Sequence, residues 1–90
     1  MVEQKVKVCV SSGIHFRPAG KITEKALEFS SNIRLETERG QANVKSFFSL
    51  LAAGIRFGDD VTLICEGDDE KEALEAIQQK TLELSKPRIL

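Results

Sequence analysis

Ninety residues, 41% hydrophobic and 30% charged, suit one globular domain whose core needs neither disulfides nor metals. Thirteen basic against fourteen acidic residues leave a formal charge of −1, so nothing marks a nucleic-acid or membrane surface globally. No apolar run approaches a membrane span and Met1-Val2-Glu3-Gln4 opens no secretory signal, so residues 1–90 are expected to form a single cytoplasmic domain without membrane insertion.

Val6, Val8 and Val10 alternate with Lys5, Lys7 and Cys9, which predicts a half-buried first strand. Ser11, Ser12 and Gly13 break the alternation, and a helix is expected to begin around Pro18, whose fixed φ and missing N–H suit a first helical turn. Ala19, Ile22, Ala26, Leu27 and Phe29 recur at helical spacing, with Lys21, Glu24, Lys25 and Glu28 on the other face. Ser30-Ser31-Asn32 reads as a loop. Ile33–Thr37 alternates as a second strand, Glu38-Arg39-Gly40 supplies a turn, and a weaker third strand runs from about Gln41 to Lys45.

Ser46 stands where a helix N-cap belongs, ahead of Phe47-Phe48-Ser49-Leu50-Leu51-Ala52-Ala53, and Gly54 ends that helix. So short a helix, apolar almost all round, cannot bury every face in a small domain. Either some of Phe47, Phe48, Leu50 and Leu51 are exposed as a binding surface, or the helix lies deep in the core with only Ser46 and Ser49 showing. Ile55 to Asp60 connects to a last strand, Val61–Glu66. Gly67-Asp68-Asp69 then gives a final helix an acidic cap, with Glu70 and Glu72 in its first turn. Ala73, Leu74, Ile77, Thr81 and Leu84 form its core stripe; Glu70, Glu75, Gln78, Gln79 and Lys80 read as a solvated face. Pro87 is expected to end the helix before the tail Arg88-Ile89-Leu90.

Cys9 falls on the polar face of the first strand, whereas Cys65 shares its parity with Val61 and Leu63 on the core face. Opposite faces cannot satisfy disulfide geometry, and two cysteines without matching histidines make a poor zinc site, so both are expected to be free thiols with no metal bound. The element order strand-helix-strand-strand-helix-strand-helix points to an α+β two-layer domain. The pattern alone also allows a ferredoxin-like arrangement.

The chemistry concentrates in Gly13-Ile14-His15-Phe16-Arg17-Pro18-Ala19, which holds the only histidine in the chain. His15 lies at a strand–turn–helix junction, where unpartnered amides and the helix dipole suit an anion such as phosphate. An imidazole there is biased towards its neutral, nucleophilic form, and the Arg17 guanidinium matches phosphoryl oxygens. Together they suggest a histidine that accepts a phosphoryl group. The alternative open at this point is that His15 merely caps the helix.

That run resembles the active-site motif of the histidine-containing phosphocarrier proteins, HPr, of the bacterial phosphoenolpyruvate:sugar phosphotransferase system. Asn43-Val44-Lys45-Ser46 resembles the regulatory serine site of the same family, and the resemblance spans essentially the whole chain. It implies an HPr-like open-faced β-sandwich, with a four-stranded antiparallel sheet covered on one face by three helices. It also implies that enzyme I, charged from phosphoenolpyruvate, phosphorylates Nδ1 of His15, which then serves sugar-specific permease components without a cofactor. By the same resemblance Phe16 and Arg17 amides cradle the phosphoryl oxygens, and Phe16, Gly20, Glu24, Leu27, Phe47, Phe48 and Leu51 form the partner-docking face. Ser46 becomes a site for HPr kinase/phosphorylase, linking the chain to a transcription regulator in carbon catabolite control. The protein is then expected to be a monomeric phosphotransfer intermediate rather than a free-standing enzyme.

Phe16 is bulky where the family usually carries a small residue, and Glu24 is acidic where many relatives carry basic or polar ones. These departures leave a second role open, that of an HPr-like regulatory paralogue acting mainly by protein binding. Retention of His15 and Arg17 weighs against a purely regulatory role, since docking alone does not require them. A nucleic-acid-binding α+β domain is the third alternative; it would want aromatics on central strands within a basic surround, and Phe47 and Phe48 instead follow a helix cap.

Overall fold

The computed structural model describes residues 1–10, 14 and 16–85. Their elements are β1 (Val2–Lys7), α1 (Phe16–Ala26), β2 (Asn32–Thr37), β3 (Gly40–Asn43), α2 (Phe47–Ala52), β4 (Asp60–Glu66) and α3 (Glu70–Ser85). The strands form one antiparallel sheet in the order β1-β4-β2-β3. β4 is interior, paired with β1 from Val2↔Cys65 to Lys7↔Asp60 and with β2 from Asn32↔Glu66 to Glu36↔Thr62. This is the open-faced α+β sandwich, and not the ferredoxin-like alternative with two long helices.

Alternation explains which side the helices cover. Ile33 and Leu35 of β2, Ala42 of β3, and Val61, Leu63 and Cys65 of β4 point into the core, where they meet Ala19, Ile22 and Ala26 of α1, Leu50 of α2, and Ala73 and Ile77 of α3. Leu74 and Leu84 pack partly buried against the same cluster, so the predicted α3 stripe holds. Thr81 donates its hydroxyl to the Ile77 carbonyl at 2.9 Å. The opposite sheet face carries ion pairs such as Lys7–Asp60 (3.2 Å) and Arg34–Glu66 (3.9 Å). Ile64 is buried yet stands outside the main cluster, flanked in register by Glu3 and Arg34. Cys9 is exposed and Cys65 buried, both as free thiols; burial pushes the Cys65 thiol up from its ordinary range.

Several boundaries differ from expectation. Val8 and Val10 are buried as their alternation predicts, but β1 ends at Lys7, because its partner β4 begins at Asp60. Beyond that point Val8 bonds the loop instead: its amide donates to the Asp59 carbonyl at 2.8 Å. β3 stops at Asn43 rather than Lys45, since Ser46 turns back to donate its amide to the Asn43 carbonyl at 3.0 Å. Leu27 is not part of the buried stripe. α1 ends at Ala26, Leu27 is 63% exposed, and Thr23 takes the buried position instead. The breaks expected at Ser11, Ser12 and Gly13, the ending at Pro87 and the tail 88–90 lie outside the described residues.

The acidic start of α3 also works differently from a simple cap. The Asp69 carboxylate accepts the Ser30 and Ser31 amides, each at 2.9 Å, and the Ser31 hydroxyl, so it binds the loop after α1 to the head of α3. Glu70, expected on a solvated face, accepts the Gly67 amide at 3.1 Å and pairs with the Met1 amine at 3.0 Å. The Gly67 backbone runs so close to this loop that a Cβ there would lie 2.7 Å from Ser31 Cα.

Candidate functional site

Ile14, Pro18 and Ala19 are buried, which presses the head of α1 into the domain and leaves Phe16 and Arg17 exposed at its first turn. The Ile14 amide donates to the Ile55 carbonyl at 3.0 Å. His15 lies outside the described residues. The free amides of this helix start suit an anion, and Arg17, placed in the same turn, adds a fixed positive charge.

α2 takes up a position beside that turn. Its N-cap is Ser46, in an extended conformation, whose Oγ accepts the Ser49 amide at 3.2 Å as the sequence predicts. Ser49 in turn accepts the Asn43 amide at 2.9 Å. The segment entering α2 is fastened to α1 and to the loop after it by two long-range bonds: Thr23 Oγ1 donates to the Val44 carbonyl at 3.0 Å, and Lys45 Nζ to the Phe29 carbonyl at 2.6 Å. Neither role of Thr23 nor that of Lys45 is visible in the chain, because the acceptors are backbone atoms of distant residues.

The faces of α2 divide: the helix exposes part of its apolar set, as the first expectation has it, and does not lie deep in the core with only Ser46 and Ser49 showing. Leu50 is fully buried, Phe47 and Leu51 pack partly buried against the core, and Phe48 is 79% exposed. The Phe47 ring lies 6.0 Å from the Phe16 ring, tilted by 35°, and 5.5 Å from Phe48 in an edge-on arrangement at 74°. Phe16 itself is 70% exposed. A Cβ on Gly20 would meet Phe47 Cε1 at 3.8 Å, an ordinary contact, so the ring passes over Gly20 without requiring glycine there.

Four of the seven expected docking residues therefore come together: Phe16, Gly20, Phe47 and Phe48. Glu24 is exposed further along α1 and Leu27 just past its end, and Leu51 turns mainly toward the core. Chemically, this gives an apolar aromatic patch beside a helix start, with a helix-capping hydroxyl at its border. Among the described residues, no cluster of His, Cys, Asp and Glu has the makings of a metal site. No helix among them is long and apolar enough to cross a membrane.

Residues 2–81 match the family described as the PTS HPr component phosphorylation site. The HPr-like protein Crh of Bacillus subtilis is 40% identical over 77 residues, covering 86% of this chain and 91% of that protein. Phosphocarrier protein HPr of Mycoplasma pneumoniae is 41% identical over 78 residues, covering 83% of this chain and 89% of the relative. The crystal structure of HPr from Thermoanaerobacter tengcongensis superposes with a TM-score of 0.91 at 31% identity, covering 99% of this chain and 100% of that one.

Proposed function

This chain belongs to the HPr family of phosphocarrier proteins, and we propose that within it the protein carries a phosphoryl group on His15 from enzyme I to sugar-specific permease components. His15 Nδ1 attacks phosphorus, and the new N–P bond forms as the donor's bond to phosphorus breaks. The Phe16 and Arg17 amides receive the phosphoryl oxygens, and the Arg17 guanidinium balances their charge. Because the group must leave again, the site stabilises it only modestly. The carrier works as a single, monomeric domain in the cytoplasm and needs no cofactor or nucleic acid.

The observation that carries this reading is the contact between Phe16 and Phe47, which puts an exposed aromatic patch next to the helix start that follows His15. Partners then dock on Phe16, Gly20, Phe47 and Phe48, with Glu24, Leu27 and Leu51 at the margins. The test is transfer from phosphoenolpyruvate through enzyme I, followed as an acid-labile, base-stable phosphate by intact mass. Rapid labelling of the native chain, absent from His15→Ala, is the expected result. A folded native chain that takes no label overturns the carrier role.

A second role is favoured by the similarity to Crh and by Ser46 standing at the border of the same patch. There the chain acts in carbon catabolite control through protein binding, with Ser46 phosphorylated by HPr kinase/phosphorylase and read by a transcription regulator. Labelling of His15 separates the two roles, since only the carrier requires it.

A further inference from the structure

Residues 54–59 link α2 to β4 and hold the chain on its way into α1. The Ile14 amide donates to the Ile55 carbonyl at 3.0 Å, the Gly58 amide to the Val8 carbonyl at 2.7 Å, and the Val8 amide to the Asp59 carbonyl at 2.8 Å. The loop is held in turn from the β2–β3 turn, by Arg39. Its Nη2 donates to the Gly54 carbonyl at 2.9 Å and to Asp59 Oδ2 at 3.1 Å. The same Oδ2 accepts the Arg56 amide at 2.9 Å. One guanidinium nitrogen thus ties together both ends of the loop. The Arg56 amide, reinforced by the Arg39 charge, holds the Asp59 carboxyl below the usual carboxylate range.

We propose that Arg39 and Asp59 are positioning residues for phosphoryl transfer, bracing the 54–59 loop that anchors Ile14, the residue covalently ahead of His15. This deepens the carrier reading and rests on it. Arg39 and Asp59 are both partly exposed, so their ion pair adds little to global stability. Its effect is local: with the tether cut, the loop samples other conformations and Ile14 loses a fixed acceptor. A nucleophile that enters the partner's site off line transfers more slowly, even when docking is intact.

The experiment measures transfer from enzyme I to the full chain and to Arg39→Ala, Asp59→Ala and Arg39→Lys, alongside hydrogen exchange at the Ile14 amide. For both alanine variants kcat is expected to fall by about tenfold at unchanged KM, while Ile14 exchanges faster and the unfolding midpoint holds. Arg39→Lys, which keeps the charge and a donor, recovers most of the rate. A native kcat in Arg39→Ala overturns the proposal, as does a loss confined to KM, which would make Arg39 a contact for the partner. If the native chain takes no label at all, the carrier reading fails and this proposal with it; native labelling with unchanged variants removes the brace alone.

Discussion

The Asp69 carboxylate accepts the amide and the hydroxyl of Ser31 together, and takes the Ser30 amide on its other oxygen. The Ser31 hydroxyl, followed by the Ser30 amide, lowers the Asp69 carboxyl to about 2. An unfolded aspartate titrates at about 3.9, so the folded state binds the proton less readily. The stabilisation is therefore complete above pH about 4 and drains away as pH falls towards about 2. Thermal unfolding between those limits is expected to show a falling midpoint that Asp69→Asn flattens. An unchanged acid limb in the variant would remove this account.

Gly67 meets the same loop from its backbone side. A Cβ there would stand 2.6 Å from Ser31 Oγ and 2.7 Å from Ser31 Cα, at a φ of +153°. The hydroxyl could swing aside but the Cα could not, so Gly67→Ala must move the backbone. Overpacking of this kind costs about 1–3 kcal/mol, read as a lower urea midpoint at unchanged slope. Native stability in Gly67→Ala would mean the loop yields freely.

Leu50 and Phe48 sit two residues apart on α2 with opposite environments, one fully buried and the other 79% exposed. Leu50→Ala is expected to lose about 2–5 kcal/mol of folding stability. Phe48→Ala is expected to change stability by no more than about 0.5 kcal/mol. The loss in Phe48→Ala is expected to show instead as a higher KM for enzyme I, because its ring lies in the proposed docking patch. Equal KM in Phe48→Ala and the native chain would place docking elsewhere.

Ser46 carries a structural duty beside the regulatory one proposed for it. Ser46→Ala removes the acceptor for the Ser49 amide and is expected to cost about 1 kcal/mol. Ser46→Asp keeps an acceptor at the N-cap and adds a negative charge that the helix start tolerates, so the fold persists. The same charge beside Phe47 and Phe48 disfavours an apolar partner surface. Slower transfer from enzyme I in a stable Ser46→Asp chain is the expected result; native speed would rule out control by this route.

Local rules reached the residues whose partners are close in the chain. Ser46 was recognisable as a cap because its acceptor role is fulfilled three residues on, at Ser49. The alternation around Val61, Leu63 and Cys65 showed the core face of β4 for the same reason. Residues with distant partners are not legible in this way. Asp69 looks like a helix cap until Ser30 and Ser31 are folded against it, and Glu70 looks idle until the Met1 amine is brought beside it. Leu27 fits a helical stripe on spacing, but α1 stops one residue short of it. For the site, the sequence suggests the proposed chemistry at His15 and Arg17, and the full set of docking residues is expected there only through resemblance. The meeting of Phe16 with Phe47 depends on how α1 crosses α2, which no local pattern encodes.

The sheet order has a consequence for how the chain comes to be folded. β1 is made first, yet it sits at the sheet edge, and its partner β4 is the last strand synthesised. During translation the hairpin of β2 and β3 can form early, while residues 2–7 wait without a strand partner until β4 emerges. Closing that long loop carries the largest chain-entropy cost among the strand pairings and is expected to be slow. A nascent chain halted before β4 would leave both sides of its amino-terminal strand open to any passing edge; pairing with Asp60–Glu66 closes one of them.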